Sequence, residues 1–381
     1  MILPEFYITC LAKYLSPSQL LTLEILIWLL QVHKQVRIER LAACLPIPIL
    51  YESRRRHLQR FLVLRNLSVP LVWFPLIKCI LNSQITPGNR LVIPLDRTQW
   101  SANNLLMVSV IWKKRAFPLY WLFLEKAGSS NLHEQIAVLR PVLKLLSCYE
   151  IVVIGDREFR SVELAYWLKK KKVGFALRLK QDAFVKKPGK PYQKLSEMGL
   201  APGMKLFWSK INYTKETGFG QFSLAAYWKR KYRGKADLEG WYILTNLSQI
   251  EEVLKVYQAR FGIEALFKDC KTGGYNLEGS KASIERLTRL VLLIAIAYTC
   301  ACLKGDKTRR SGQQKYVCRL QELKRTQRRH SNFWIGLYGQ MWIIGWEFCR
   351  DWIEQLMQLE RNKLPYFQRG FRAMEEIQAV S

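Results

Sequence analysis

Two short apolar runs, each closed by an aspartate, constrain this chain more than any other feature: LVIPLD at 91–96 and IVVIGD at 151–156. Each is too short for a buried helix and reads as a buried strand. Between them lie two further β-rich runs, LLMVSVIW and FPLYWLFLE, separated by the basic turn Lys113-Lys114-Arg115, and a helix over about 131–146. SVELAYWLKKKK then reads as a helix and VGFALRLK as another strand. This order predicts an α/β core over 86–180. In such a sheet ligands gather at the carboxyl ends of strands, where Asp96 and Asp156 are expected.

The rest of the chain changes texture around this core. Residues 1–85 read as a helical domain. Ser16 before Pro17 is an N-cap with proline at the first helical position, and 20–32 continues as an apolar helix. Two shorter helices are expected at about 37–44 and 51–62, with Pro46 and Pro48 in the break. The second is basic, holding Arg54, Arg55, Arg56, His57 and Arg60. A helix, a short turn and a basic helix fit a helix-turn-helix that contacts DNA, and fit equally a bundle with a solvated basic face. Residues 181–240 are rich in Gly, Pro, Lys and aromatics, and runs such as KLFWSKINY and QFSLAAYW predict an inserted antiparallel β region. WYILTNL, from Trp241, returns to a core-like strand. One long helix is expected from about 249 to 271, stopped at Gly273-Gly274, and an apolar helix follows around 290–303, so that 241–305 forms a second part of the core. Residues 306–381 are a basic and then Trp-rich helical tail, and the densest basic stretch is 304–329.

Charge points to the partner. The chain has 60 Lys and Arg against 30 Asp and Glu, a formal net charge of +30. Self-repulsion of that size is tolerated most easily beside a polyanion, with nucleic acid favoured over an anionic membrane surface. The uncharged stretches 290–303 and 331–346 fall short of the ~20 residues of a membrane span, and buried core helices explain them better. The N-terminus lacks the basic region and cleavage site of a secretory signal. Nine cysteines without any CxxC pair, and only four histidines, argue against structural zinc and for reduced thiols in a cytoplasmic setting.

A third carboxylate joins the two aspartates. Tyr257, Arg260, Glu264 and Lys271 share one arc of about 60° on the expected helix at about 100° per residue, and Lys268 lies beside them. The other faces carry Leu254, Val256, Phe261, Ile263, Leu266 and Phe267, so the helix is buried and its polar stripe must face a cavity or a partner. Alone, each residue has a plainer explanation: a strand-ending Asp caps a turn, and Glu264 pairs with Arg260 four residues earlier. Together, three carboxylates make a set of hard oxygen ligands suited to Mg²⁺ or Mn²⁺, and two such ions would bind the attacking and leaving oxygens of a phosphodiester.

Tyr257-x2-Arg260-x3-Glu264-x6-Lys271 resembles the YREK signature of the IS4-family DDE transposases, the Tn5- and Tn10-like group. LDRTQW and VVIGDREF resemble the blocks around that family's first and second catalytic aspartates, in the right order and with a long gap before Glu264 that holds a β-rich insertion. The resemblance spans about 90–303. It implies an RNase H-like catalytic core interrupted by the insertion, with a helical DNA-binding domain in front and a helical tail behind. It implies that Asp96, Asp156 and Glu264 are catalytic and bind two Mg²⁺ ions, or Mn²⁺ in their place. Tyr257, Arg260, Lys268 and Lys271 would hold phosphates, and Trp241 would stack on a flipped base during hairpin formation, although a core tryptophan is an equally good account of it. Trp208 and Trp228 are weaker stacking candidates. The insertion is shorter than in the Tn5 and Tn10 enzymes. The implied partners are double-stranded DNA, as terminal inverted repeats and as target, and a second copy of the chain in a synaptic homodimer. A catalytically inactive, transposase-derived DNA-binding protein is the alternative.

Overall fold

The structure is a computed structural model and describes residues 3–214, 221–230, 239–320 and 329–379. Along the chain run α1 (Glu5–Leu11), α2 (Pro17–His33), α3 (Ile38–Cys44), α4 (Tyr51–Phe61) and a π-helical turn (Val69–Trp73) that leads into α5 (Phe74–Gln84). Then come β1 (Arg90–Trp100), β2 (Asn103–Trp112), β3 (Arg115–Phe123), α6 (Leu132–Leu145), β4 (Glu150–Gly155), α7 (Val162–Lys170) and β5 (Gly174–Arg178). Next are β6 (Phe184–Lys186), β7 (Tyr192–Lys194), β8 (Lys205–Tyr213), β9 (Phe222–Tyr227) and β10 (Trp241–Thr245). The chain ends with α8 (Ile250–Gln258), α9 (Phe261–Cys270), α10 (Ile284–Arg310), α11 (Gln314–Val317), α12 (Asn332–Leu359) and α13 (Leu364–Ala379). Two compact units result, Ile77–Asp269 and Met1–Leu76 with Cys270–Ser381.

The first of these units is built on a mixed sheet ordered β3-β2-β1-β4-β5-β10-β9-β8-β6-β7. β1, β2 and β3 form an antiparallel meander, in which Trp100 pairs with Asn103 and Trp112 with Arg115. Such tight turns need a left-handed residue, and Ser101 (φ 48) and Lys113 (φ 57) supply it. β1 then runs parallel to β4, and β4 parallel to β5. The helix between β3 and β4 starts at a capping box: Asn131 Oδ1 accepts from Glu134 N (2.9 Å) while Glu134 Oε2 accepts from Asn131 N (2.7 Å).

Two expectations need correction in this unit. β1 does not end at Asp96 but continues to Trp100, because β2 keeps pairing with it; what ends is its parallel pairing with β4, at Leu95 opposite Gly155. The long helix expected over 249–271 is two helices, α8 and α9, interrupted at Ala259-Arg260. The β-rich insertion is present, although 215–220 and 231–238 lie outside the described residues. It extends the central sheet: β10 pairs antiparallel with β5 on one side and β9 on the other. One apolar cluster explains the continuity. Val152, Ile154 and Ala176 of the central strands, Ala225 of β9 and Ile243 of β10 all pack beneath Val253, Leu254, Val256 and Tyr257 of α8.

The second unit is helical. Its N-terminal and C-terminal segments share one core: Tyr7 donates to Thr299 Oγ1 (3.0 Å) and Lys34 Nζ to the Tyr338 hydroxyl (2.6 Å). α2 begins at the expected N-cap, Ser16, with Pro17 in the first turn, and Ser16 and Gln19 complete a capping box. The boundary expected between 305 and 306 falls inside α10, which crosses α12 at backbone contact. A Cβ on Gly305 would meet the Asn332 carbonyl at 1.8 Å, and one on Gly336 the Ala301 carbonyl at 1.8 Å. Among the described residues α10 is long and apolar enough to cross a membrane, but 83% of its apolar window is buried inside the protein. The basic stretch 304–329 is divided: its first part completes α10, where Lys304 is buried, and 321–328 lie outside the described residues.

Candidate functional site

Asp96 and Asp156 occupy equivalent places on neighbouring strands. Asp156 directly follows β4, and Asp96 directly follows the last β1 residue that pairs with β4. Each carboxylate is fixed by a nearby amide. Arg97 N donates to Asp96 Oδ1 at 2.8 Å, and Glu158 N to Asp156 Oδ1 at 2.9 Å. Glu264 comes from the first turn of α9 and is half exposed. The close seating of this helix on the meander depends on Gly262, whose Cβ position is 2.7 Å from Ile111 Cδ1, and on the ion pair of Arg115 with Asp269 (2.6 Å).

Arg260, in the break between α8 and α9, links the acids. Its Nη1 reaches Asp96 Oδ2 at 3.4 Å and its Nη2 reaches Glu264 Oε1 at 2.5 Å. Asp96 is only 8% exposed. Burial, and then the charge of Asp156, push its carboxyl up to about 7, against the Arg97 amide and Arg260; Glu264 adds to the rise. Burial opposes the charge on Arg260, but Tyr257, Glu264, Asp96 and Asp156 together outweigh it and raise its pKa. The three carboxylates are thus one electrostatic cluster with a single guanidinium reaching between two of them.

Around this cluster lie a buried tyrosine and a second arginine. Tyr257, in the last turn of α8, is buried, and burial raises its pKa while the guanidinia of Arg260 and Arg178 pull it down. Arg178 ends β5 and donates to Glu239 Oε1 at 2.8 Å; burial lowers its pKa, with Arg157 and Arg260 acting in the same direction. The sequence reading missed Arg178. Its signal was an arginine closing the apolar run of VGFALRLK, beside the strand that ends in Asp156.

The other expected residues are placed as follows. Trp241 opens β10 and is half-buried, with its ring 5.2 Å from that of Tyr257, 6.0 Å from Tyr227 and 6.5 Å from Phe261. It also packs on the cluster beneath α8. Trp208 is half-buried under Lys187 Nζ (4.4 Å), and Trp228 is half-buried at the end of β9. Lys268 is exposed on α9. Lys271, in the helical unit, pairs with Glu278 at 2.7 Å. On the basic helix, Arg54 turns back and donates to the carbonyls of Ala43 (3.2 Å) and Leu45 (3.1 Å), where it caps α3. Arg55 pairs with Glu52 (2.9 Å), and Arg56 is exposed.

Among the described residues, no group of three or more His, Cys, Asp or Glu stands close enough to hold a metal ion. Arg260 spans Asp96 and Glu264 where a cation would have to compete with it. The donor chemistry nevertheless fits one: the atoms are carboxylate oxygens, and Asp96 is buried beside a like charge that a divalent cation would relieve.

The family described as Transposase DDE domain matches residues 119–300. The chain therefore carries a DDE-transposase-like domain, and the matched stretch includes Asp156, Tyr257, Arg260, Glu264 and Lys271 and starts after Asp96. Among solved structures, a piggyBac transposase synaptic complex with hairpin DNA is similar at 14% identity, with a TM-score of 0.45 over 89% of this chain and 76% of that one. A Marinitoga piezophila Argonaute in complex with guide RNA and target DNA is similar at 12% identity, with a TM-score of 0.24 over 58% of this chain and 33% of that one. No curated protein matches the sequence.

Proposed function

We propose that this chain is the DNA transposase of an insertion sequence, which cuts the ends of its element and joins them to target DNA by phosphodiester transfer. The observation that carries the reading is the cluster of Asp96, Asp156 and Glu264 about Arg260, largely within the stretch that matches the Transposase DDE domain. The strand order β3-β2-β1-β4-β5, antiparallel and then parallel, supports an RNase H-like core. The net charge of +30 supports a DNA partner. Two further parts of the proposal are a homodimer that holds two ends in one synapse, and action in the bacterial cytoplasm.

Asp96, Asp156 and Glu264 would hold Mg²⁺, or Mn²⁺ in its place, as two ions that neutralise the phosphodiester and activate the attacking oxygen. The chain's own groups position the DNA. With its carboxylate partners engaged elsewhere, Arg260 can turn its guanidinium to a phosphate, where its planar fork gives two parallel hydrogen bonds. Tyr257 and Arg178 flank the same position, Lys268 and Lys271 act as point charges along the backbone, and Arg55 and Arg56 on α4 face the element's ends. Trp241 supplies an aromatic face for a flipped base, with stacking worth about 1–3 kcal/mol.

The test uses the DNA flanking this gene, as labelled duplexes, with Mg²⁺, Mn²⁺ or chelator. Metal-dependent cleavage at the element boundary, lost in Glu264→Gln, is expected. Binding without cleavage under any metal would leave a catalytically inactive DNA-binding protein. A hairpin step predicts a product strand of doubled length on a denaturing gel; open ends alone under rapid quench would remove that step and the base-stacking role of Trp241.

A further inference from the structure

Two charged side chains beside the acidic cluster have no role in the chemistry above. Arg97 follows Asp96, Glu158 lies two residues past Asp156, and the two pair: Arg97 Nε donates to both Glu158 oxygens, at 3.1 and 2.9 Å. Their side chains are only 18% and 12% exposed. Glu158 Oε1 also accepts from the amide of Ser130 (2.8 Å) and from its hydroxyl (2.7 Å). Arg97 Nη1 donates to Asn104 Oδ1 (3.0 Å), and Asn104 Nδ2 in turn holds the carbonyls of Lys126 (2.7 Å) and Gly128 (2.9 Å).

A buried ion pair is a weak source of stability, because desolvation offsets most of its attraction. This one has a geometric consequence instead. The amide of Arg97 orients Asp96, and the amide of Glu158 orients Asp156. The ion pair therefore couples the two residues whose backbone aims the two carboxylates.

We infer that Arg97 and Glu158 are positioning residues, whose ion pair sets the separation and orientation of Asp96 and Asp156 for a shared divalent cation. The inference rests on the proposed cation site. Outer-shell partners of ligating groups typically change metal affinity by about 10–100-fold.

The experiment titrates the full chain with Mn²⁺ and follows free Mn²⁺ by electron paramagnetic resonance, with urea unfolding in chelator and a DNA gel shift as controls. Glu158→Gln keeps an acceptor for Ser130 and loses the charge; it should weaken Mn²⁺ binding about 10-fold while DNA binding in chelator is unchanged. Arg97→Lys keeps the charge and should lose only a few-fold. Mn²⁺ affinity unchanged in a folded Glu158→Gln would overturn the inference. Should that variant fail to fold, Ser130→Ala, which loosens Glu158 by one hydrogen bond, carries the same test: a measurable loss of Mn²⁺ affinity supports the inference and an unchanged affinity overturns it. A wild-type chain that binds no Mn²⁺ would instead overturn the proposed cation site, and the positioning role with it.

Discussion

Replacing Asp96 with asparagine isolates the penalty that the fold imposes on this carboxylate. Its pKa is raised from 3.8 to about 7, by burial first and Asp156 second. At about 1.4 kcal/mol per pKa unit, the ionised form destabilises the metal-free fold by up to about 4 kcal/mol. Asparagine keeps the shape and the acceptor for the Arg97 amide, and loses the charge and the Arg260 pair. The attraction to Arg260 is already contained in the net upward shift. Without metal, Asp96→Asn should therefore be more stable than wild type at pH 8, by about 1–4 kcal/mol. The sign with pH follows from the raised folded pKa. The Asp96 contribution is fully present below about pH 4 and is lost as pH rises to about 7, so the two proteins should converge in acid and separate up to neutrality. Urea unfolding in chelator across that range measures the gap. Added Mg²⁺ at pH 8 should narrow the gap by about 2.7 kcal/mol at 100 times its Kd, and reverse the order where the gap is smaller than that, because only the wild type retains the ligand set. A variant less stable than wild type at pH 8 in chelator would refute the reasoning, since Arg260 would then compensate Asp96 completely.

Other consequences are local. Gly336→Ala places a methyl 1.8 Å from the Ala301 carbonyl, so α10 and α12 must separate; a loss of about 3 kcal/mol or more in urea unfolding is expected, and a neutral effect would contradict the close crossing. Arg54→Ala and Arg56→Ala should divide stability from binding. The first removes the cap on the α3 carbonyls and should cost about 1 kcal/mol of stability. The second should leave stability unchanged and reduce the salt slope of DNA binding by about one, as read from gel shifts at graded salt. The opposite assignment of the two effects would show that α4 presents Arg54, not Arg56, to DNA.

What was legible in the sequence was what local pattern encodes. The runs ending in Asp96 and Asp156 became adjacent parallel strands, because short apolar runs of this kind suit a sheet covered on its faces. The break at Arg260 was hidden by continuity of period: α8 and α9 bury the same kinds of residue, and no proline or positive φ marks Ala259. The true extent of α10 was hidden by charge. Lys304 and Asp306 read as the end of an apolar helix, yet Lys304 Nζ reaches Gln340 Oε1 (3.1 Å) and Asp306 Oδ1 accepts from Asn332 (3.0 Å), both on α12. Partners that distant in sequence satisfy buried polar groups without leaving a local signal. Arg178 escaped for the same reason, since its neighbour Tyr257 lies far along the chain.

The break at Arg260 ties the plain and the functional accounts of the site together. Four residues separate Arg260 from Glu264, and an ordinary surface pair would be worth only a few tenths of a kcal/mol. Arg260 does more, because it is largely buried and also faces Asp96. A guanidinium in that position offsets part of the repulsion between Asp96 and Asp156 and holds the Asp96 carboxyl lower than burial and that neighbour alone would. On the proposed function, a divalent cation takes over that neutralisation, and the released guanidinium is left beside the phosphate it is suited to hold. The arrangement predicts competition. Removing Arg260 should tighten Mn²⁺ binding in the DNA-free protein while weakening the complex with cut ends, and two losses together would mean that Arg260 supports the cation site and does not compete for it.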